Sequence, residues 1–241
     1  MVAHYGYRTG IFLGLAIAGI GALMFYPAAA ESEEADSLTF GAALRHRHMR
    51  LGVLAIFLYV GAEVAIGSFL INYISLPHIG NMTVATAAVY VSLYWGGAML
   101  GRFAGAALLT KANPRTVLGG CAVAASLLLL AGMFSHGYVA VLAVVAIGLF
   151  NSVMFPNIFT LGIGGMGVLT GKASSLQIMA IVGGAIVPLL QGVLADRIGV
   201  QLSFVLPLLC YAFVAYYGYR GSRLDGVESA AGAARPQFIP H

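Results

Sequence analysis

The chain has 241 residues, of which 60% are hydrophobic and only 8% charged, with a formal net charge of +4. That length leaves room for one bundle and no sizeable soluble domain, so any chemistry has to take place inside a membrane or at its faces. Twelve Lys and Arg in so apolar a chain read as topology markers rather than a phosphate-binding surface, which argues against nucleic acid as a partner.

A spanning helix needs about 20 mostly apolar residues. Seven segments qualify: Thr9–Ala30, Leu51–Ile74, Ala85–Leu109, Arg115–Ser135, Tyr138–Leu161, Ala173–Leu194 and Val200–Gly218. Most connections are short, so the expected fold is an all-α integral membrane protein, a bundle of about seven antiparallel helices. The domain plan that follows is an N-terminal hydrophobic helix (1–30), a charged cytoplasmic linker (31–50), a six-helix bundle (51–219) and a cytoplasmic tail (220–241). Thr9–Ala30 reads as a retained helix, because no small-residue cleavage site followed by a soluble domain succeeds it. The linker joins two unlike pieces, the acidic Glu31-Ser-Glu-Glu-Ala-Asp36 and the basic Arg45-His-Arg-His-Met-Arg50. Its basic half is suited either to solvent or to anionic headgroups.

Within the second segment, Glu63 falls about 12 residues into its helix, which at ~1.5 Å per residue is close to the bilayer midplane. An ionisable group there costs roughly 3 kcal/mol unless it faces a cavity or a partner. Two readings follow, a solute, proton or ion site and a protonated carboxyl hydrogen-bonded inside the bundle. In the third segment Tyr90 and Tyr94 lie one turn apart beside Trp95, above a row of Gly97, Gly101 and Gly105 that would let a neighbouring helix approach closely. Tyr94 is a candidate sugar contact or an interfacial belt residue. Arg102 is expected to snorkel to the cytoplasmic surface.

Cys121 and Cys210 lie in separate apolar segments and supply neither a disulfide framework nor a metal-ligand spacing. In the fifth segment, Asn151 and Asn157 flank Pro156, which removes a helix hydrogen bond and frees backbone carbonyls. They fall on different helical faces, so one of them at most should reach a given cavity unless the kink turns the helix. In the sixth, Gln177, Gly184, Pro188 and Gln191 share one stripe, suggesting a polar face on a helix that bends.

Enzymatic readings fail by absence. The two lysines, Lys111 and Lys172, sit at helix ends, which leaves none for a mid-membrane Schiff base. All six histidines (His4, His46, His48, His78, His136 and His241) fall in loops, tails or segment ends, leaving none buried to pair with a serine or hold a catalytic metal. What remains suits recognition of a small polar solute.

Charge sets orientation. With seven spans, nine positive residues fall on one face and two, Arg8 and Arg197, on the other, so the tail is expected to be cytoplasmic. An odd number of spans then places the N-terminus outside, an awkward topology for the first helix.

The strings FLYVGAEVAIGSFLINYI, YVSLYWGGAMLGRFAGAALL, GLFNSVMFPNIFTLGI and AIVGGAIVPLLQGVLADRIG resemble the C-terminal six helices of major facilitator superfamily sugar transporters. The similarity is to the glucose/galactose branch, related to fucose:proton symporters. HYGYRTGIFLGLAIAGIGALMFYPAA resembles the third helix of that family. The resemblance implies an internally deleted, N-terminally truncated chain with the third helix joined to the seventh.

It further implies transport of a hexose, glucose or galactose and possibly fucose, by a secondary active, cation-coupled route. No cofactor is implied; the coupling ion would be a proton or sodium. Solute contacts are expected from Glu63, Asn151 and Gln177, then Asn157 and Tyr94. The competing expectation is a transport-incompetent half-bundle, or one acting only as a homo-oligomer or with a partner chain. Either form would sit among membrane lipids in the cell inner membrane.

Overall fold

The computed structural model describes residues 39–224. The helix expected at Thr9–Ala30, the acidic stretch Glu31–Asp36 and the tail beyond Leu224 lie outside the described residues.

Every regular element among the described residues is helical. A short α1 (Phe40–Leu44) leads into α2 (Arg47–Ile74), α3 (Val84–Leu109) and α4 (Pro114–Phe134). The next span is broken into α5 (Gly137–Asn151) and α6 (Met154–Ile163), and the one after it into α7 (Thr170–Met179) and α8 (Gly183–Ile198) around a 3-10 turn at Ala180–Val182. The last comprises α9 (Val200–Ser203), α10 (Val205–Tyr216) and a terminal π-turn, Tyr217–Gly221. Six of these units are long and apolar enough to cross a membrane, beginning with Arg47–Ile74 and ending with Val200–Gly221.

The helices outrun the apolar segments that announced them. Instead of starting at Leu51, α2 starts at Arg47, which makes the basic run Arg47–Arg50 part of its first turn. At ~1.5 Å per residue its 28 residues reach ~42 Å, longer than the ~30 Å hydrocarbon core. Polar ends of a helix therefore emerge into headgroups where hydropathy no longer marks them. The polar start of α7, Thr170-Gly-Lys-Ala-Ser-Ser175, is helical for the same reason.

Local chemistry sets the boundaries. Thr83 caps α3, its hydroxyl accepting from Thr86 N at 3.3 Å. Asn113 caps α4 through Arg115 N at 2.9 Å, and Pro114 occupies the first helical position, where a missing N–H costs nothing. Gly199 ends α8 at φ 86° and ψ 157°, a conformation open to glycine alone. At the same end of the bundle, Gln201 Nε2 lies 3.0–3.2 Å from the carbonyls of Gly132, Met133 and Ser135, satisfying the orphan acceptors that close α4.

Helix α2 runs through the centre, with α3, α6, α8 and α10 packed around it. Since lipid tails are as apolar as leucine, these contacts depend on close fit and hydrogen bonds rather than on water exclusion. The glycine row of α3 supplies one such fit: Gly101 lies against the Leu149 carbonyl and Ser152, and Gly105 against Val153. The stripe on the sixth predicted segment supplies another. Gly184 of that stripe lies against Val60 and Val64, and next to it Gly183 abuts the Phe57 backbone and Val187 fills the space over Gly61, so this side of α8 is packed on α2. The expected bend falls just before Gly183, at the 3-10 turn, while Pro188 sits inside α8.

Candidate functional site

Helix α2 carries Glu63 about 24 Å from its start at Arg47 and about 17 Å from its end at Ile74, at 1.5 Å per residue, and so near mid-span. One turn earlier on the same face is Tyr59. Both line a cavity of about 580 Å³ whose other walls come from Arg102, Ala106 and Leu109 of α3, Ser152 and Val153 at the α5–α6 break, Phe155 and Pro156 of α6, and Ile181. The Tyr59 hydroxyl and Arg102 both lie close enough to the Glu63 carboxyl to act on it electrostatically. Arg102 is exposed, but on the cavity wall with Glu63 rather than simply directed to the surface. A carboxylate, a guanidinium, two hydroxyls and the Phe155 ring thus share one concave surface, of a size that suits a small polar molecule.

Behind this wall lies a fully buried polar hub. Asn151 Nδ2 donates to Tyr94 Oη at 2.7 Å, and Asn151 Oδ1 accepts from Tyr211 Oη at 2.7 Å. The Asn151 backbone carbonyl accepts from Tyr59 Oη at 2.8 Å. Four elements, α2, α3, α5 and α10, meet at this one amide. The break at Ser152–Val153 makes the arrangement possible: α5 ends at Asn151, and the Asn151 carbonyl turns to a side chain. Tyr94 Oη also points toward the Glu63 carbonyl, over a longer 3.4 Å.

Of the five expected solute contacts, Glu63 alone lines the cavity. Tyr94 and Asn151 stand behind its wall, bonded to each other. Asn157 is buried in α6, and its Nδ2 has no hydrogen-bond partner among the described residues. Gln177 lies apart from the others. Its Nε2 donates to Phe159 O at 3.1 Å and touches Met49 Sδ at 3.9 Å, and Met49 precedes Glu63 by about 21 Å along α2 at 1.5 Å per residue.

Tyr59, Ser152 and Tyr211 were not among the expected site residues. The four-residue spacing of Tyr59 and Glu63 is a legible signal for the first; nothing local marks Tyr211. No cluster of three or more His, Cys, Asp or Glu suited to a metal occurs among the described residues. Cys121 and Cys210 are unbridged.

No family model matches the chain. Over 183 residues it is 48% identical to a glucose/galactose transporter of Brucella abortus, an alignment covering 76% of this chain and 44% of that protein. It is 34% identical over 215 residues to the L-fucose-proton symporter of Escherichia coli, covering 86% and 49% respectively. Two crystal structures match with a TM-score of 0.74: the E. coli fucose:proton symporter at 34% identity, over 82% of this chain and 48% of that one, and a major facilitator superfamily transporter in the outward conformation at 33% identity, over 81% and 48%. The chain is homologous to about half of a major facilitator superfamily transporter. It likewise spans about half the length of the curated relatives it matches. These relatives are transporters, not enzymes, and the six apolar spans agree with a membrane-embedded fold of this superfamily.

Proposed function

We propose that the chain forms one half of a sugar pathway, and that its solute is a hexose, glucose or galactose with fucose as a further possibility. The observation that carries this reading is the cavity wall on which mid-span Glu63 meets Arg102, Tyr59 and Ser152. Carboxylate and guanidinium groups match neighbouring hydroxyls on a sugar ring, and the Phe155 ring offers an apolar surface to its C–H face. The relatives' names, glucose/galactose transporter and L-fucose-proton symporter, support the same solute class. The symporter name and an ionisable group at the bilayer centre support cation coupling, with a proton preferred over sodium. Contacts from Asn151 and Tyr94 are indirect in this reading: they hold the wall that Tyr59 and Glu63 present. Gln177 and Asn157 would join the path in another conformation.

The charge distribution supports an inner-membrane orientation with the basic end, and so the C-terminus, in the cytoplasm. Residues 31–50 and 220–241 would then be cytoplasmic, and 51–219 the spanning unit.

A second reading, that the chain works only with a partner supplying the complementary bundle, is favoured by a separate observation. The cavity walls include residues of α3 and of the Gly167–Ile198 unit, and in these two spans only 22% of the apolar window is buried. A distinct chain would cover that face.

Counterflow of labelled galactose into proteoliposomes containing the purified 241-residue chain separates the two. Glucose-inhibitable uptake is expected if the chain alone, or as a homo-oligomer, completes the pathway. Absence of uptake from monodisperse protein would exclude autonomous transport and leave the partner-dependent reading.

A further inference from the structure

A second concavity lies at the end of the bundle where α2 begins. It has a volume of about 510 Å³ and is lined by Arg45, His46, Arg47, His48 and Arg50, with Gly165 and Leu224 closing it. We infer that this groove binds the phosphodiester headgroup of an anionic membrane lipid.

Three observations carry the inference. The first is charge. Among the described residues, every Lys and Arg except Arg102 and Arg197 falls at this end, whereas the two carboxylates lie elsewhere, Glu63 at mid-span and Asp196 at the opposite end. Among the described residues, no acidic side chain lines the groove.

The second is that part of this cluster, Arg47 and His48, is held by the fold. Arg47 Nη2 donates to Tyr216 Oη at 2.9 Å, which ties its guanidinium to the last span. His48 is nearly fully buried, with its Nε2 3.0 Å from the Gly164 carbonyl, fixing the first turn of α2 on the end of α6. The third is position. α2 is longer than the hydrocarbon core, so its first turn, with Arg47 and Arg50, stands at headgroup depth, where a lipid phosphate reaches it without leaving the bilayer. Leu224 gives the groove an apolar wall beside the charges.

The test titrates the full chain, in non-ionic detergent, with dioctanoyl phosphatidylglycerol and separately with dioctanoyl phosphatidylcholine. The glycerol lipid is expected to bind at least about tenfold more tightly, since each basic residue near an anionic surface contributes about fivefold. Replacing Arg45, Arg47 and Arg50 together by Gln should remove about 100-fold on the same scale, and Lys111→Gln, at the same end but outside the groove, less than about twofold. Leu224→Glu places a carboxylate in the groove from outside the spans and should weaken binding by at least about tenfold with the elution profile of the protein unchanged. It reads the site even if the triple variant misfolds.

Equal binding of the two lipids would overturn the inference. So would a loss in Lys111→Gln matching that of the groove variants, which would make the attraction a property of the whole face. Displacement of the lipid by inorganic phosphate at the same concentration would assign the groove to a soluble anion. Binding that emerges only when Glu31, Glu33, Glu34 and Asp36 are neutralised would assign it to the chain's own acidic segment, and also overturns the lipid reading.

Discussion

Asn151 Nδ2 donates to Tyr94 Oη over 2.7 Å, joining α5 to α3 at a point where neither side chain reaches solvent. The opposite side of the same amide accepts from Tyr211, so one residue spends its side-chain donor and acceptor on two other helices. Asn151→Ala would leave the Tyr211 hydroxyl buried without its acceptor and Tyr94 with only the longer 3.4 Å contact to the Glu63 carbonyl. A loss of about 1–3 kcal/mol is expected, given the 0.6–1.7 kcal/mol typical of interhelical bonds in membranes. A thermal unfolding series in detergent checks this, and the double-mutant cycle with Tyr211→Phe should show a coupling of about 0.6–1.7 kcal/mol. Additive losses would mean that the two side chains are merely neighbours.

Two glycines in one protein should behave in opposite ways. A Cβ at Gly148 would collide with the Tyr94 backbone carbonyl, whereas one at Gly120 meets nothing within 4 Å. Gly148→Ala is expected to cost about 1–3 kcal/mol through overpacking. Gly120→Ala, in the interior of α4, should be neutral or stabilise by up to about 1 kcal/mol. Melting temperatures of the two variants, compared side by side, decide the point.

Glu63→Gln keeps a hydrogen-bonding group beside Tyr59 and removes the ionisation. In an actively transporting assembly, galactose counterflow should persist while accumulation driven by an inward proton gradient falls to the external concentration. Uptake measured with and without a pH gradient resolves the two activities. Gradient-driven accumulation that survives in the variant would take Glu63 out of coupling.

Arg102 is predicted to hold solute rather than lipid. Arg102→Gln should raise the galactose concentration needed for half-maximal protection or uptake about tenfold or more, the scale of losing a charge-assisted bond, with Arg102→Lys intermediate. An unchanged concentration dependence would return Arg102 to a surface role.

At the far end, Gln201→Ala would free the carbonyls of Met133 and Ser135, leave Gly132 O to Tyr73 Oη alone, and remove the partner that His78 Nε2 has at 2.8 Å. Faster amide hydrogen exchange confined to the end of α4 and the α4–α5 connection is the expected signature, with a stability loss of about 1–2 kcal/mol. Uniformly faster exchange through the bundle would contradict a local clamp.

The six spans could be read from the sequence because a bilayer imposes a length and a composition on whatever crosses it. Glu63 could be read because it is a lone carboxylate in the middle of a span. The placing of Arg102 on the cavity wall was not legible. Its depth along α3 suggested escape to the surface, but rotation about the helix axis puts it on the wall with Glu63, and no count of residues fixes that without knowing which neighbour α3 packs against. Asn151 stood out as an amide beside a proline, yet its partners lie 57, 60 and 92 residues away and converge only when four elements pack. Gln177 was grouped with the others by the family resemblance and by its polar stripe; the fold places it near the first turns of α2, where Met49 is its neighbour.

The interruption at Ser152–Val153 gives the bundle a fulcrum. On one side of it Asn151 is locked to three tyrosines; on the other, Val153, Phe155 and Pro156 face the cavity directly. A solute pressing on α6 would therefore load the joint rather than the helix, and a tilt of the short arm can be returned to α2 through Tyr59, whose hydroxyl bonds the joint from the cavity wall.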